Sequence, residues 1–297
     1  MLHVRRIGGL LYHPLVERRS WRTGEPLFSE RRGEDGPQVV FLHGLGSSSR
    51  YWHRTANQLD GHDMQLHLVD LLGFGRSPWP RVAYSIDDHL MALENWGTAT
   101  DLEDGPVVLV GHSLGALLAL TWAARFPRVS ALVLIGLPIY PNPDEARHRL
   151  ANLSLLSRLT LRSRPLAWSA CMLMCCLRPL CRLVAPLFSP ELPSSVARDG
   201  VLHTWRSLSG TLDHCIFGTD FDCWHSQAHR LSAVPLLFVH GRADECAPID
   251  TIRDLVTGMP RARLLEIEAA GHDLPLSHPI LLAGLIRNIV QETGPYS

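Results

Sequence analysis

The chain has 297 residues, of which 46% are hydrophobic and 19% charged, with a formal net charge of −1 at pH 7. That balance excludes an intrinsically disordered chain and leaves no electrostatic footprint for nucleic acid. All 28 basic residues are arginine, which also excludes mechanisms that need a lysine amine, Schiff-base and pyridoxal-phosphate chemistry among them.

The length exceeds the roughly 100–200 residues of a usual domain, and one main domain carrying an insertion is expected. Seven cysteines, an odd number confined to the second half and without Cys-x-x-Cys spacing, argue against a disulfide framework or a zinc site. Reduced thiols in a cytoplasmic protein are the simpler reading. Met1 to Tyr12 contains Arg5 and Arg6, but its apolar run is short and broken by glycines, so no signal peptide is expected.

Apolar stretches at Ile7–Leu11 and Pro26–Phe28 suit antiparallel edge strands. Gln38–Leu42 is a continuous apolar run of the kind a buried parallel strand needs, and it ends in His43-Gly44-Leu45-Gly46-Ser47. Tyr51–Leu59 has helical spacing. Leu66–Asp70 is the next strand, followed by the glycine-rich turn Leu71-Leu72-Gly73-Phe74-Gly75-Arg76-Ser77-Pro78. Ile86–Thr98 reads as a helix, with Asp87 and Asp88 in the first turn where carboxylates suit the helix dipole. Pro106–Val110 and Val129–Ile135 are further buried strands. Strands alternating with helices at this spacing predict a parallel sheet covered on both faces.

The alternation stops at Pro138 and resumes with the strand Val234–His240. Roughly 95 residues between two strands of one sheet need structure of their own. Proline-broken helical segments predict a helical cap over residues 138–232, dividing the core into residues 1–137 and 233–297. Within the cap, Leu166–Leu177 is almost wholly apolar but falls short of the ~20 residues of a membrane span. A helix buried between cap and core is the favoured reading. In a second reading, Trp168, Met172 and Met174 line an apolar substrate pocket or its entrance; contact with a membrane surface is a weaker third. The chain closes with a strand at Arg263–Ile267 and a helix at Pro279–Val290.

Chemistry concentrates where strands end. Gly111-His112-Ser113-Leu114-Gly115 stands between the strand Pro106–Val110 and a small-residue helix, so Ser113 occupies a sharp strand-to-helix turn that pushes its hydroxyl out above the sheet. A serine hydroxyl needs a base, and the base needs a carboxylate to fix its tautomer. Among 16 histidines, His272 lies in a glycine-containing loop just after the last strand and is favoured as the base. His240 ends a buried strand, His112 helps to shape the serine turn, and His43 holds its own loop. Asp244, directly after the strand ending at His240, is the favoured acid, with Glu245 its neighbour and competitor. The other natural place for this carboxylate, after Val129–Ile135, reads Gly136-Leu137-Pro138 and has none. The backbone N–H groups of Leu45 and Leu114 can supply an oxyanion hole.

These motifs, in this order, resemble the α/β-hydrolase superfamily: His43-Gly44-Leu45-Gly46, Asp70 to Ser77, Gly111-His112-Ser113-Leu114-Gly115, Gly241-Arg242-Ala243-Asp244 and Gly271-His272. The resemblance implies an α/β fold with an eight-stranded, mostly parallel sheet, helices on both faces and a helical cap, and hydrolysis through an acyl-enzyme intermediate on Ser113, Asp244 and His272. Serine at position 113 disfavours the dehalogenase and epoxide-hydrolase branches, which carry aspartate there. The expected substrate is a small-molecule carboxylic ester with an apolar acyl group, with no metal, no organic cofactor, no nucleic acid and no stable membrane span. Carbon–carbon hydrolysis of a diketone-like substrate and acyl transfer on the same triad are the alternatives.

Overall fold

In the computed structural model of the chain, residues 25–293 are described, apart from residues 62, 101, 103–104, 154–162, 219–220, 232 and 258. The stretch Ile7–Leu11 therefore lies outside the described residues. Seven strands form one sheet in the order β1-β3-β2-β4-β5-β6-β7, where β1 is Ser29–Arg32, β2 Gln38–Leu42, β3 Gln65–Val69, β4 Val107–His112, β5 Val129–Ile135, β6 Leu236–Gly241 and β7 Ala262–Ile267. Every described pairing is parallel except β1 on β3. The edge strand thus falls at Ser29–Arg32 rather than Pro26–Phe28. Leu27 is buried just ahead of it, and the Phe28 N–H donates 2.9 Å to Ser77 Oγ instead of joining the ladder.

The central strands are buried from end to end, and their side chains divide with a period of two between two apolar layers. Val40, Leu42, Leu109, Leu132 and Leu134 face one layer, while Val39, Phe41, Val110, Val133 and Ile135 face the other. On the first face lie α2 (Ile86–Ala99) and α3 (Leu114–Ala123); on the second lie α1 (His53–Asn57) and the C-terminal helix Pro279–Glu292. Helix α2 starts in a capping box, with Ser85 Oγ accepting from Asp88 N and the Asp88 carboxylate accepting from Ser85 N. Helix α3 is apolar on all sides and buried along its whole length, as a helix wedged into the core must be.

Between β5 and β6 the chain is helical: α4 (Pro143–Asn152), α5 (Arg164–Cys176), α6 (Arg178–Phe188), α7 (Ser194–Asp199), α8 (Trp205–Thr211), which continues into a π-helical turn at Leu212–Ile216, and α9 (Phe221–Arg230). The apolar stretch predicted to be buried between cap and core is not. Helix α5 buries only Ala167 and Cys171, and its other large side chains are exposed or half-buried. Beyond β6 come α10 (Ile249–Val256), β7, α11 (Leu274–Ser277) and α12 (Pro279–Glu292).

Candidate active site

The parallel strands deliver their carboxyl ends to one edge of the sheet, where loops carrying polar groups meet. Ser113 follows β4 in the conformation φ 53°, ψ −119°, a left-handed strain held by the tight turn into α3. The turn closes only because its glycines have no side chain. A Cβ on Gly115 would sit 2.1 Å from the Leu42 carbonyl oxygen, and one on Gly111 would sit 2.4 Å from that of Gly115. Ser113 N–H donates to the Ile135 carbonyl at 2.9 Å, which locks the elbow to the neighbouring strand.

Asp244 follows β6. Its Oδ1 accepts from the N–H groups of Cys246 and Ala247, both at 2.9 Å, and its Oδ2 lies 2.8 Å from His272 Nδ1. His272 follows β7. Its contact with the carboxylate places the ring proton on Nδ1 and leaves Nε2 as a proton acceptor. Burial works to raise the Asp244 pKa, but the hydrogen bond and charge of His272, the Ala247 N–H and the nearby His240 hold it below the ordinary carboxylate value. For His272, burial works to lower the pKa; the adjacent Cys246 and the Asp244 carboxylate outweigh it and hold the imidazole well above its usual value.

Ser113 and His272 both border a cavity of about 260 Å³. Gly44, Leu45 and Ser47 form its wall on the β2 side, and Leu150, Leu153, Leu212 and Ile216 form its apolar roof. Leu114 is the first residue of α3, so its N–H has no acceptor within the helix and stands beside the serine. Leu45 is in the cavity wall itself.

The three side chains expected to line the pocket are elsewhere. Trp168 and Met172 are exposed and Met174 is half-buried on α5; none of them borders this cavity. The physical reason is the turn of α5, which directs the small Ala167 and Cys171 inward and the bulky residues outward. The apolar roof comes from the end of α4 and from the turn after α8.

Other histidines hold the scaffold. His43 Nε2 accepts from Leu71 N–H at 2.9 Å while Nδ1 meets the Gly44 carbonyl at 2.7 Å, which ties the β2 loop to the β3 loop. Asp70 braces the same region, accepting from Ser49 N–H at 2.6 Å and Arg76 N–H at 2.8 Å. His240 Nε2 binds the Ala247 carbonyl at 2.9 Å and so supports the Asp244 turn.

Sequence reasoning missed three further residues of this cavity. Cys246 borders the same cavity as His272; its place two residues after Asp244 is the signal that could have found it. Tyr51 stacks on His112 at 4.9 Å between ring centroids and donates 2.6 Å to Asp273. No local motif marks Tyr51. Tyr140 donates to the Cys246 carbonyl at 2.7 Å and borders the cavity.

A family model described as "Alpha/beta hydrolase family" matches residues 39–285. Lipase LipV of Mycobacterium tuberculosis is 42% identical over 115 residues, covering 37% of this chain and 41% of that protein. Probable lysophospholipase BODYGUARD 4 of Arabidopsis thaliana is 25% identical over 257 residues, 82% of this chain and 61% of that protein. The chain therefore spans less than two thirds of the length of each of these relatives. Among solved structures, that of E-2-(acetamidomethylene)succinate hydrolase superposes with a TM-score of 0.68 at 20% identity, covering 89% of this chain and 95% of the other, a likeness of fold.

Proposed function

The chain belongs to the alpha/beta hydrolase family, and on that premise we propose that it is a serine hydrolase of carboxylic esters with apolar acyl groups. The observation that carries this reading is the 2.8 Å contact between His272 Nδ1 and Asp244 Oδ2, with Ser113 on the same leucine-roofed cavity. Relatives named as a lipase and a probable lysophospholipase support the ester class.

In this reading Ser113 Oγ attacks the ester carbonyl carbon as His272 Nε2 takes its proton, and the N–H groups of Leu45 and Leu114 receive the developing oxyanion. Asp244 stabilises the imidazolium. Collapse expels the alcohol, which takes the proton from His272 and leaves the acyl group on Ser113. Water, deprotonated by His272, then attacks the acyl carbon, and the carboxylic acid departs as Ser113 recovers its proton. The acyl chain lies against Leu150, Leu153, Leu212 and Ile216.

Burst kinetics with p-nitrophenyl esters of increasing chain length test the reading. A burst in the wild type that is absent from Ser113→Ala supports covalent catalysis by Ser113. No turnover of any ester, or turnover undiminished in Ser113→Ala, overturns it.

A further inference from the structure

Helix α6 is amphipathic in the opposite sense to a helix on a globular surface. Such a helix ordinarily turns its apolar stripe to the core. Here Leu180, Leu183 and Leu187, spaced to share one face, point to solvent with Phe188 beside them; Leu183, Leu187 and Phe188 are 68%, 79% and 82% exposed. No residue of the helix is buried. Its polar residues turn inward instead. Arg182 reaches the buried Asp199 at 3.7 Å, and Arg178 donates to the His203 carbonyl at 2.8 Å while lying over the Trp79 ring.

Helix α5 and the turn after it carry further exposed apolar side chains, Leu166, Trp168, Met172, Leu173 and Leu177. The two helices are bent by 110° across Leu177, and no single helix among the described residues is long and apolar enough to cross a membrane. An apolar corner of this shape can enter the headgroup and acyl boundary of a bilayer without spanning it.

Charge decides the occupant. Between Glu145 and Glu191 the sequence has seven arginines and no Asp or Glu. Arg164 and Arg182, on the two helices themselves, keep 67% and 43% of their side chains exposed even while paired with Asp213 and Asp199. A second copy of the chain would bring these cations against their own equivalents, whereas an anionic bilayer complements them. Arginine stems can also lie along an apolar surface while the guanidinium stays in the wet headgroup layer.

The surface is tied to the cavity. Arg164, at the start of α5, is ion-paired with Asp213, next to the cavity residue Leu212. Leu153 is both exposed and part of the cavity wall.

We propose that the outward apolar face of α5 and α6 docks the protein on an anionic phospholipid bilayer and presents the Ser113 cavity to esters dissolved in that bilayer. The docking stands on the surface alone; the ester supply rests on the hydrolase reading.

The test is co-sedimentation of the full chain with phosphatidylcholine vesicles, with and without phosphatidylglycerol, for the wild type and for the triple variant L183E/L187E/F188E. The expected result is binding that is strengthened by phosphatidylglycerol and reduced about tenfold or more in the variant. Hydrolysis of a short soluble p-nitrophenyl ester should be unchanged in the variant, while hydrolysis of a long-chain ester held in the vesicles falls. Absence of vesicle binding, or binding retained by the variant, overturns the proposal. So does a dimer in light scattering that the variant converts to monomer, which would assign the face to a second copy. Binding is also read with Ser113→Ala, so failure of the hydrolase reading leaves the docking result intact.

Discussion

His112 Nε2 binds the backbone carbonyl of His272 at 2.9 Å, and the two rings lie 4.7 Å apart. The residue before Ser113 therefore holds the His272 loop, so the Ser113 and His272 loops are set against each other directly. Burial, with the charge of His272 adding to it, lowers the His112 pKa to about 3, so the ring is neutral and can donate from Nε2 to that carbonyl.

Replacing His112 by Phe keeps the stack on Tyr51 but deletes the hydrogen bond. A neutral hydrogen bond contributes about 1 kcal/mol, so kcat for a soluble ester should fall by about five- to tenfold with KM little changed. An unchanged kcat would show that the loop keeps its position without this contact.

The activity of the wild type should rise with pH along a limb centred above 6.5, because only neutral imidazole accepts the serine proton and the His272 pKa is raised. Asp244→Asn removes the carboxylate that favours the imidazolium. Its limb should move to lower pH, with kcat reduced by as much as about 10⁴-fold through loss of the productive tautomer. A pH–rate profile of kcat/KM for both proteins checks the shift, and a wild-type limb below 6.5 would contradict it.

Acid should destabilise the fold well before carboxylates titrate. Burial lowers the pKa of His89 and His112 to about 3 and that of His67 and His203 to about 4. Below about pH 6.5 the unfolded chain binds protons that the folded chain refuses, so stability falls as pH falls. Asp70 and Asp244, whose folded pKa values are depressed, add a second loss as pH drops below their ordinary value toward the folded one. Thermal unfolding followed between pH 8 and 4 should show Tm declining from about pH 6.5 downward; a flat Tm to pH 5 would refute this.

Gly115→Ala should be among the most damaging small changes in the chain, since the new methyl would lie 2.1 Å from the Leu42 carbonyl oxygen. The nearest atoms are all backbone, of Leu42 and His43, so no flexible group can yield, and a loss of about 3 kcal/mol or more is expected. Denaturant unfolding measures it, with Gly284→Ala as the control, because no atom lies within 4 Å of that added Cβ.

The convergence of Ser113, Asp244 and His272 is legible in strand order, because each sits immediately past a strand of apolar sequence. Ser113, Asp244 and His272 reach one edge by strand direction alone, and Gly136, read as a strand end without a carboxylate, indeed lies against this group, with its added Cβ 3.2 Å from the His272 ring. Strand β1 was misplaced because Ser29-Glu30-Arg31-Arg32 pairs only with β3 and carries no apolar pattern. The walls of the cavity were illegible for a different reason. Helix α5 is apolar nearly all round, so its sequence does not state which side turns inward, and the outward choice is fixed by packing of Ala167 and Cys171.

Strands β5 and β6 are adjacent in the sheet, with Leu132 opposite Leu236 and Ile135 opposite Val239. The chain thus departs and re-enters through neighbouring positions, and the ladder between them closes whatever lies from Gly136 to Pro235. Lengthening it adds loop-closure entropy only slowly, while Ile216, Phe217, Trp224 and Ala228 within it pack into the same core as the strands. Variation in the cavity residues Leu150, Leu153, Leu212 and Ile216 can therefore accumulate within this segment while Ser113, Asp244 and His272 stay fixed to the sheet.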